Sequence, residues 1–221
     1  CNACIEVCST RAISPAGDKV AVDPHLCMGC GACATVCPSG AMGYQFPRPE
    51  DRGAQLRQLL SAYRAAGGTD ACVVFQDTWA GRNLLAGAAA GGRGLPARAL
   101  PLAAWHVASI GLDVLLAAIA YGANQVVVLA AQAEDAVYLE ALREQMAIGE
   151  AVLRGLGYEG RHFEIVQAGL LVSELVPGTV RVISARMDYL PGDTRQISIL
   201  KSPEKAYISR YALGRDYHKL I

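Results

Sequence analysis

The chain of 221 residues has no excess of charge of either sign. Its 20 lysines and arginines equal its 20 aspartates and glutamates, so composition gives no reason for attraction to nucleic acid or to an anionic membrane surface. Charge is also scarce, at 18% against 52% hydrophobic residues, yet no long apolar run fills the gap. The most apolar stretch, residues 100–131, is broken by His106, Asp113, Gly122 and Asn124. No run of about 18 clean apolar residues remains, which argues against a membrane span. No signal peptide is visible, and no opening methionine is present. No Ser/His/Asp set or carboxylate pair stands out, so hydrolysis is not expected. Residues 87–94 are glycine-rich but lack the lysine and hydroxyl of a phosphate loop, and they follow a helix-like segment. They are read as a flexible loop.

What the chain does have is cysteine, concentrated at its start. Seven of its eight cysteines lie in the first 37 residues. Cys27, Cys30, Cys33 and Cys37 stand at gaps of two, two and three residues, closed by Pro38. This is the spacing of a bacterial-type ferredoxin loop, in which three cysteines wrap one 4Fe–4S cluster and the fourth ligates another. A second copy lies upstream. Sliding the chain by 29 residues sets Cys1 on Cys30, Cys4 on Cys33 and Cys8 on Cys37, with Ala3 on Ala32 and Val7 on Val36. An internal repeat predicts a pseudo-twofold domain.

The crossed pattern assigns Cys8, Cys27, Cys30 and Cys33 to one complete 4Fe–4S cluster. It leaves Cys1, Cys4 and Cys37 to hold three irons of the other. The repeat partner of Cys27 would precede the first residue, so the sequence is read as a fragment cut inside its first cluster-binding loop. That site is expected to hold a cluster with an open iron, a three-iron cluster, or none. Zinc fits poorly, because zinc sites take four ligands in pairs. Disulfides between cysteines three apart on tight loops are strained. Residues 1–43 therefore resemble two-cluster ferredoxins. Thiolates and clusters imply a reducing compartment, hence a cytoplasmic location. His25 is read as a solvated turn residue and Cys72 as a buried structural thiol.

The fold expected is an α+β ferredoxin-like dicluster domain over residues 1–45, followed by an α/β three-layer domain with a parallel sheet over 54–168. A proline-stiffened linker at 46–53 is expected to join them. A short strand and turn are expected at 21–24, and the rest of the first 43 residues needs little regular structure. Helices are predicted at 50–66, 81–90, 107–121 and 134–154. Strands are predicted at 71–75, 97–100, 125–129 and 162–166. Strand and helix alternate, which points to a parallel sheet covered on both faces.

Two further resemblances follow from particular residues. The run Phe75-Gln76-Asp77-Thr78-Trp79-Ala80, with Gly122-Ala123 and the long helix after Gln132, makes residues 71–166 resemble the iron–sulfur delta-subunit family of methyl-viologen-reducing hydrogenases. That resemblance implies a redox partner of flavoprotein, hydrogenase or formate dehydrogenase type. It also implies that Asp77, Ala80, Ala131 and Ala136 stand where the family has cluster cysteines, so that scaffold and docking role persist without a cluster. The segments from Glu174 to Ser184, from Arg186 to Pro191 and from Ala206 to Lys219 resemble the N-terminal part of epoxyqueuosine reductase. This resemblance implies cobalamin and a tRNA substrate. It makes Arg210, Arg215 and His218, with Lys219 beside them, candidates to meet a phosphate, a corrin side chain or RNA. The family's own ferredoxin motif follows this segment, whereas here one precedes it.

The residues themselves support one-electron transfer. The first expectation is an iron–sulfur electron-transfer protein, or such a component of an oxidoreductase. The alternatives are a fragment of a cobalamin-dependent epoxyqueuosine reductase acting on tRNA, and a docking module of a hydrogenase or formate dehydrogenase-type complex.

Overall fold

Valine-rich segments in the middle of the chain build a four-stranded parallel sheet. The computed structural model describes residues 1–90 and 94–168, all within the unit Cys1–Gly178. The sheet strands are β3 (Cys72–Asp77), β4 (Ala99–Ala104), β5 (Gln125–Ala131) and β6 (Phe163–Ala168), in the order β4-β3-β5-β6. Every residue of β3 is buried, as expected of a central parallel strand with both faces covered. Residues 210, 215, 218 and 219 lie outside the described residues, as does all of the stretch resembling a reductase.

Side-chain alternation divides the sheet into two faces. Val73, Phe75, Val126 and Val128 point into the main core, where they meet Leu56 and Leu60 of α3 (Pro49–Ala65) and Leu115 and Ala118 of α5 (Leu112–Ala120). Leu139, Leu142 and Met146 of α6 (Ala136–Gly155) complete that core. Cys72, Val74 and Leu129 face the other way, against Leu84 of α4 (Ala80–Ala90). Right-handed crossovers require this division, because the chain moves one way from β3 to β4 and the opposite way afterwards. Among the described residues α4 alone covers the second face. The reversal between β3 and β5 is a topological switch point, and its crevice opens at the carboxyl ends of the strands.

Five sequence expectations are corrected. The helix expected at 107–121 is two pieces: a 3-10 turn at Val107–Ser109, then α5. His106 caps the start of that turn: its Nδ1 accepts from Ala108 N, and Ser109 Oγ donates to His106 O. The strand expected at 97–100 begins later and runs longer, because Ala99 to Ala104 pair in register with all of β3. The first 43 residues are also more regular than expected. They contain a hairpin of β1 (Ile13–Ala16) and β2 (Lys19–Val22), and one-turn helices α1 (Ala3–Glu6) and α2 (Ala32–Thr35). Helix α3 begins at Pro49, inside the stretch expected as linker, with proline where a missing N–H costs nothing. Helix α4 extends to Ala90, so the first part of the glycine-rich stretch is helical, and residues 91–93 are not described. Among the described residues no helix is long and apolar enough to cross a membrane.

Helix α6 is capped by Asp135, whose side chain accepts from Val137 N at 3.1 Å. Asp135→Ala is expected to cost about 1 kcal/mol, read as a lowered denaturant midpoint with unchanged slope.

Candidate iron–sulfur site

The repeat in the sequence is a repeat in three dimensions. Helices α1 and α2 have equal length, and their closing hydrogen bonds match at an offset of 29 residues. Val7 N donates to Ala3 O at 3.0 Å, as Val36 N does to Ala32 O at 3.2 Å; Cys8 N to Ile5 O and Cys37 N to Ala34 O are both 3.3 Å. Arg11 N then bonds Cys8 O as Gly40 N bonds Cys37 O. Both turn residues are left-handed, Arg11 at φ 54° and Gly40 at φ 66°. Glycine adopts that conformation freely and arginine does not, so the turn is imposed by the loop rather than by the residue.

Each copy also surrounds its last cysteine with donors. Cys8 Sγ lies 3.6 Å from Thr10 Oγ1 and accepts from Ala12 N at 3.3 Å. Cys37 Sγ lies 3.5 Å from Ser39 Oγ. The consequence is a thiol readied for the charged form. Burial works against ionisation of Cys8, but the Thr10 hydroxyl and the Ala12 and Ile13 amides outweigh it and lower its pKa. Cys37 falls to about 7, held by the Ser39 hydroxyl and then the Met42 amide. Cys33 moves the other way, up to about 11, through burial and then the charges of Cys30 and Cys27. A positively charged group bound there would stabilise a Cys33 thiolate against the charges of Cys30 and Cys27.

All eight cysteines are free thiols. No group of three or more His, Cys, Asp or Glu side chains among the described residues converges on a single metal ion. Sulfurs around one tetrahedral zinc stand only about 3.8 Å apart, from a Zn–S bond of about 2.3 Å. A cubane is gripped at its corners, one thiolate to each iron, and the donors in both loops are cysteine sulfurs. Cys27 and Cys30 are near enough for their charges to act on Cys33. Tyr138 feels the charges of both Cys30 and Cys8, so the two motifs meet at this tyrosine. Cys4 is buried and Cys1 exposed.

The cysteine loops are not held at a distance from the sheet. Val7 and Ala32 pack with Ala108 and Tyr138, with Cys30 and Cys33 against them. Tyr44 Oη donates to Gly29 O at 3.0 Å, and its pKa rises to about 12, from burial first and then the Cys30 charge. Tyr138, from α6, meets Ser9 Oγ and lies 3.6 Å from Cys30 Sγ and 3.7 Å from Met28 Sδ. The contact is with the 3-10 turn and the start of α6, beside the carboxyl edge of the sheet.

That edge carries its own buried polar group. Asp77 Oδ1 accepts from Trp79 N and Ala80 N, both at 2.7 Å, and Oδ2 from Gly81 N at 2.9 Å, which caps α4. His106 Nδ1 is an acceptor, so its proton is on Nε2, which faces Glu134 Oε1 at 3.3 Å. Burial lowers the His106 pKa, against the pull of Asp77; burial raises that of Glu134. The unfolded chain therefore takes up the histidine proton first. His106 is expected to lose stability for the fold as pH falls below about 6.5, and NMR titration of its ring should give a midpoint below that value.

Of the residues singled out in the sequence, Asp77 ends β3, Ala80 begins α4, Ala131 ends β5 and Ala136 begins α6. All four gather at this one edge. Cys72 is buried, and its thiol is pushed up by burial. His25 is exposed, with its amide bonded to Asp23 Oδ1. Sequence reasoning missed Tyr138, Tyr44 and Ser9. One signal was legible: Ser9 stands where the repeat has Pro38.

Comparison with known proteins accounts for the two ends of the chain. Residues 1–41 match the model of the 4Fe-4S dicluster domain, and residues 170–221 match that of "Epoxyqueuosine reductase QueG, DUF1730". The epoxyqueuosine reductase of Pseudomonas aeruginosa is 80% identical over 49 residues, covering 22% of this chain and 14% of that protein. Those of Aliivibrio fischeri and Escherichia coli K12 are 59% identical over 68 residues and 52% over 67, each covering 29% of this chain and 18% of the relative. The chain thus spans less than a fifth of the length of these relatives. Residues 1–41 are a 4Fe-4S dicluster domain, and residues 170–221 are similar to the epoxyqueuosine reductases.

Proposed function

We propose that the chain relays single electrons through 4Fe–4S clusters to reductase chemistry of the epoxyqueuosine reductase kind. In this reading Cys8, Cys27, Cys30 and Cys33 hold one cluster, and Cys1, Cys4 and Cys37 ligate the other. Bound clusters take up and release one electron each, while the protein sets their potential through hydrogen bonds and burial. Thr10, Ala12 and Ser39 supply such donors. The observation that carries electron transfer is the doubled loop, with matching hydrogen bonds at both last cysteines. The nature of the recipient is supported by the 80% identity to the Pseudomonas aeruginosa reductase. Under this reading Arg210, Arg215 and His218 serve a cobalamin or tRNA phosphate.

The test is anaerobic. The reconstituted and reduced chain is mixed with cobalamin and passed through a desalting column, and the cobalt that co-elutes is counted. Retention, lost in an R210A/R215A variant, is expected; a chain that retains no cobalamin, also when lengthened beyond Ile221, overturns the reductase assignment.

A second reading is favoured by the convergence of Asp77, Ala80, Ala131 and Ala136 on one sheet edge. There the α/β part docks a flavoprotein, hydrogenase or formate dehydrogenase-type partner. Co-purification with such an enzyme, weakened by substitutions at that edge, is its expected result.

A further inference from the structure

We propose that Tyr138 donates a hydrogen bond to Cys30 Sγ of the cluster held by Cys8, Cys27, Cys30 and Cys33, and so sets that cluster's potential from within the α/β domain. This rests on the electron-transfer reading above. A tyrosine hydroxyl has one proton to give. Three groups surround that of Tyr138: Ser9 Oγ, Cys30 Sγ, whose thiol donates to Tyr138 Oη at 3.6 Å, and Met28 Sδ, which accepts from Tyr138 Oη at 3.7 Å. A cysteine bound to iron is a thiolate and cannot donate. The negative sulfur is then the strongest acceptor of the three, since a hydrogen bond to an ionised partner is roughly twice as strong as a neutral one. Tyr138 gives its proton to Cys30, and Ser9 gives its own to Tyr138 Oη. The two bonds form a chain and polarise each other in the same direction.

The placement makes this bond consequential. Tyr138 is only 4% exposed. Its ring is packed by Ala108 and meets His106 edge-on, with centroids 5.3 Å apart. Little water competes for the hydroxyl in such a site. Ser9 directly follows Cys8 and the tyrosine touches Cys30, so one side chain of α6 ties together both arms of the crossed ligand set. The other half of the repeat lacks the serine, because the residue after Cys37 is Pro38, which carries no hydroxyl. Two clusters built on matching loops are thereby made unequal. A donor to a cluster sulfur stabilises the reduced, more negative state, so its removal shifts the potential downward.

The test is an EPR-monitored redox titration of the full chain, with iron counted in every sample. The signal of the quartet's cluster is identified by its absence from Cys8→Ala. Tyr138→Phe keeps the ring and is expected to move that signal to a lower potential while iron content and any second signal stay unchanged. Ser9→Ala is expected to move the same signal the same way by a smaller amount. With iron intact, an unmoved signal in Tyr138→Phe contradicts the proposal, as does an equal shift of both signals. Should Tyr138→Phe lose iron, Ser9→Ala decides by the same criteria. A wild-type chain that takes up no iron would instead count against the electron-transfer reading itself.

Discussion

Cys8→Ala is expected to abolish the cluster of the Cys27-Cys30-Cys33 loop, although Cys8 lies in the other motif. The reason is the crossing of ligands. A one-turn helix followed by a tight turn carries the last cysteine of each copy away from its own loop. The structure shows that turn twice, closed by Cys8 N to Ile5 O and Cys37 N to Ala34 O. It also places Cys8 beside the tyrosine that touches Cys30. A cubane with three thiolates leaves one iron to water and loses it readily under oxidation. Cys8→Ala should therefore give either a three-iron signal or no signal from this site. Cys37→Ala should spare it and affect the other cluster. If Cys8→Ala left the EPR spectrum of the reduced chain unchanged, the crossed assignment would be wrong.

Gly31→Ala is expected to loosen the cysteine loops from the α/β domain. Two effects add. Gly31 has φ 83°, where an L-residue costs about 1–2 kcal/mol. A Cβ there would stand 2.8 Å from Ser109 Cβ and 2.9 Å from the Tyr44 ring. The serine carbon is fixed in the 3-10 turn, where Ser109 Oγ is bonded to His106 O at 2.7 Å. Overpacking of this kind costs about 1–3 kcal/mol. The sum, about 2–5 kcal/mol, falls on the surface that also holds Thr35 Oγ1 against Ala108 O. Limited proteolysis between residues 40 and 50 should accelerate, and iron should be lost faster on exposure to air. Proteolysis and iron loss at wild-type rates would show that this contact is not what holds the loops.

These two substitutions differ in how far the sequence alone announces them. Cysteine spacing was legible because ligand geometry is set within a dozen residues, and the 29-residue repeat could be read by sliding the chain. Strand β5 declared itself through three consecutive valines, and α6 through Asp135 at its start. The break before α5 was hidden, because residues 107–121 are mostly apolar and such a stretch resembles one buried helix. What sets the 3-10 turn apart is a pair of side-chain bonds at its N-terminal cap, made by His106 and Ser109, which no periodicity shows. The strand expected at 21–24 falls on the end of β2, but its hairpin partner β1 escaped for the opposite reason: Ser14 and Pro15 disrupt the alternation that marks a strand. Gly31 could be seen as a glycine within a motif, but the Ser109 carbon against it is 78 positions away. Contacts of that range, like Tyr138 on Cys30, come only with the fold.

The most direct measurement is an iron and acid-labile sulfide count on the anaerobically reconstituted chain, joined to its EPR spectrum after reduction. At least four irons and four sulfides per chain are predicted for the complete ligand set, with a reduced-cluster signal that Cys8→Ala removes. Colourless protein free of iron, with the cysteines joined as disulfides or carrying zinc, would contradict it.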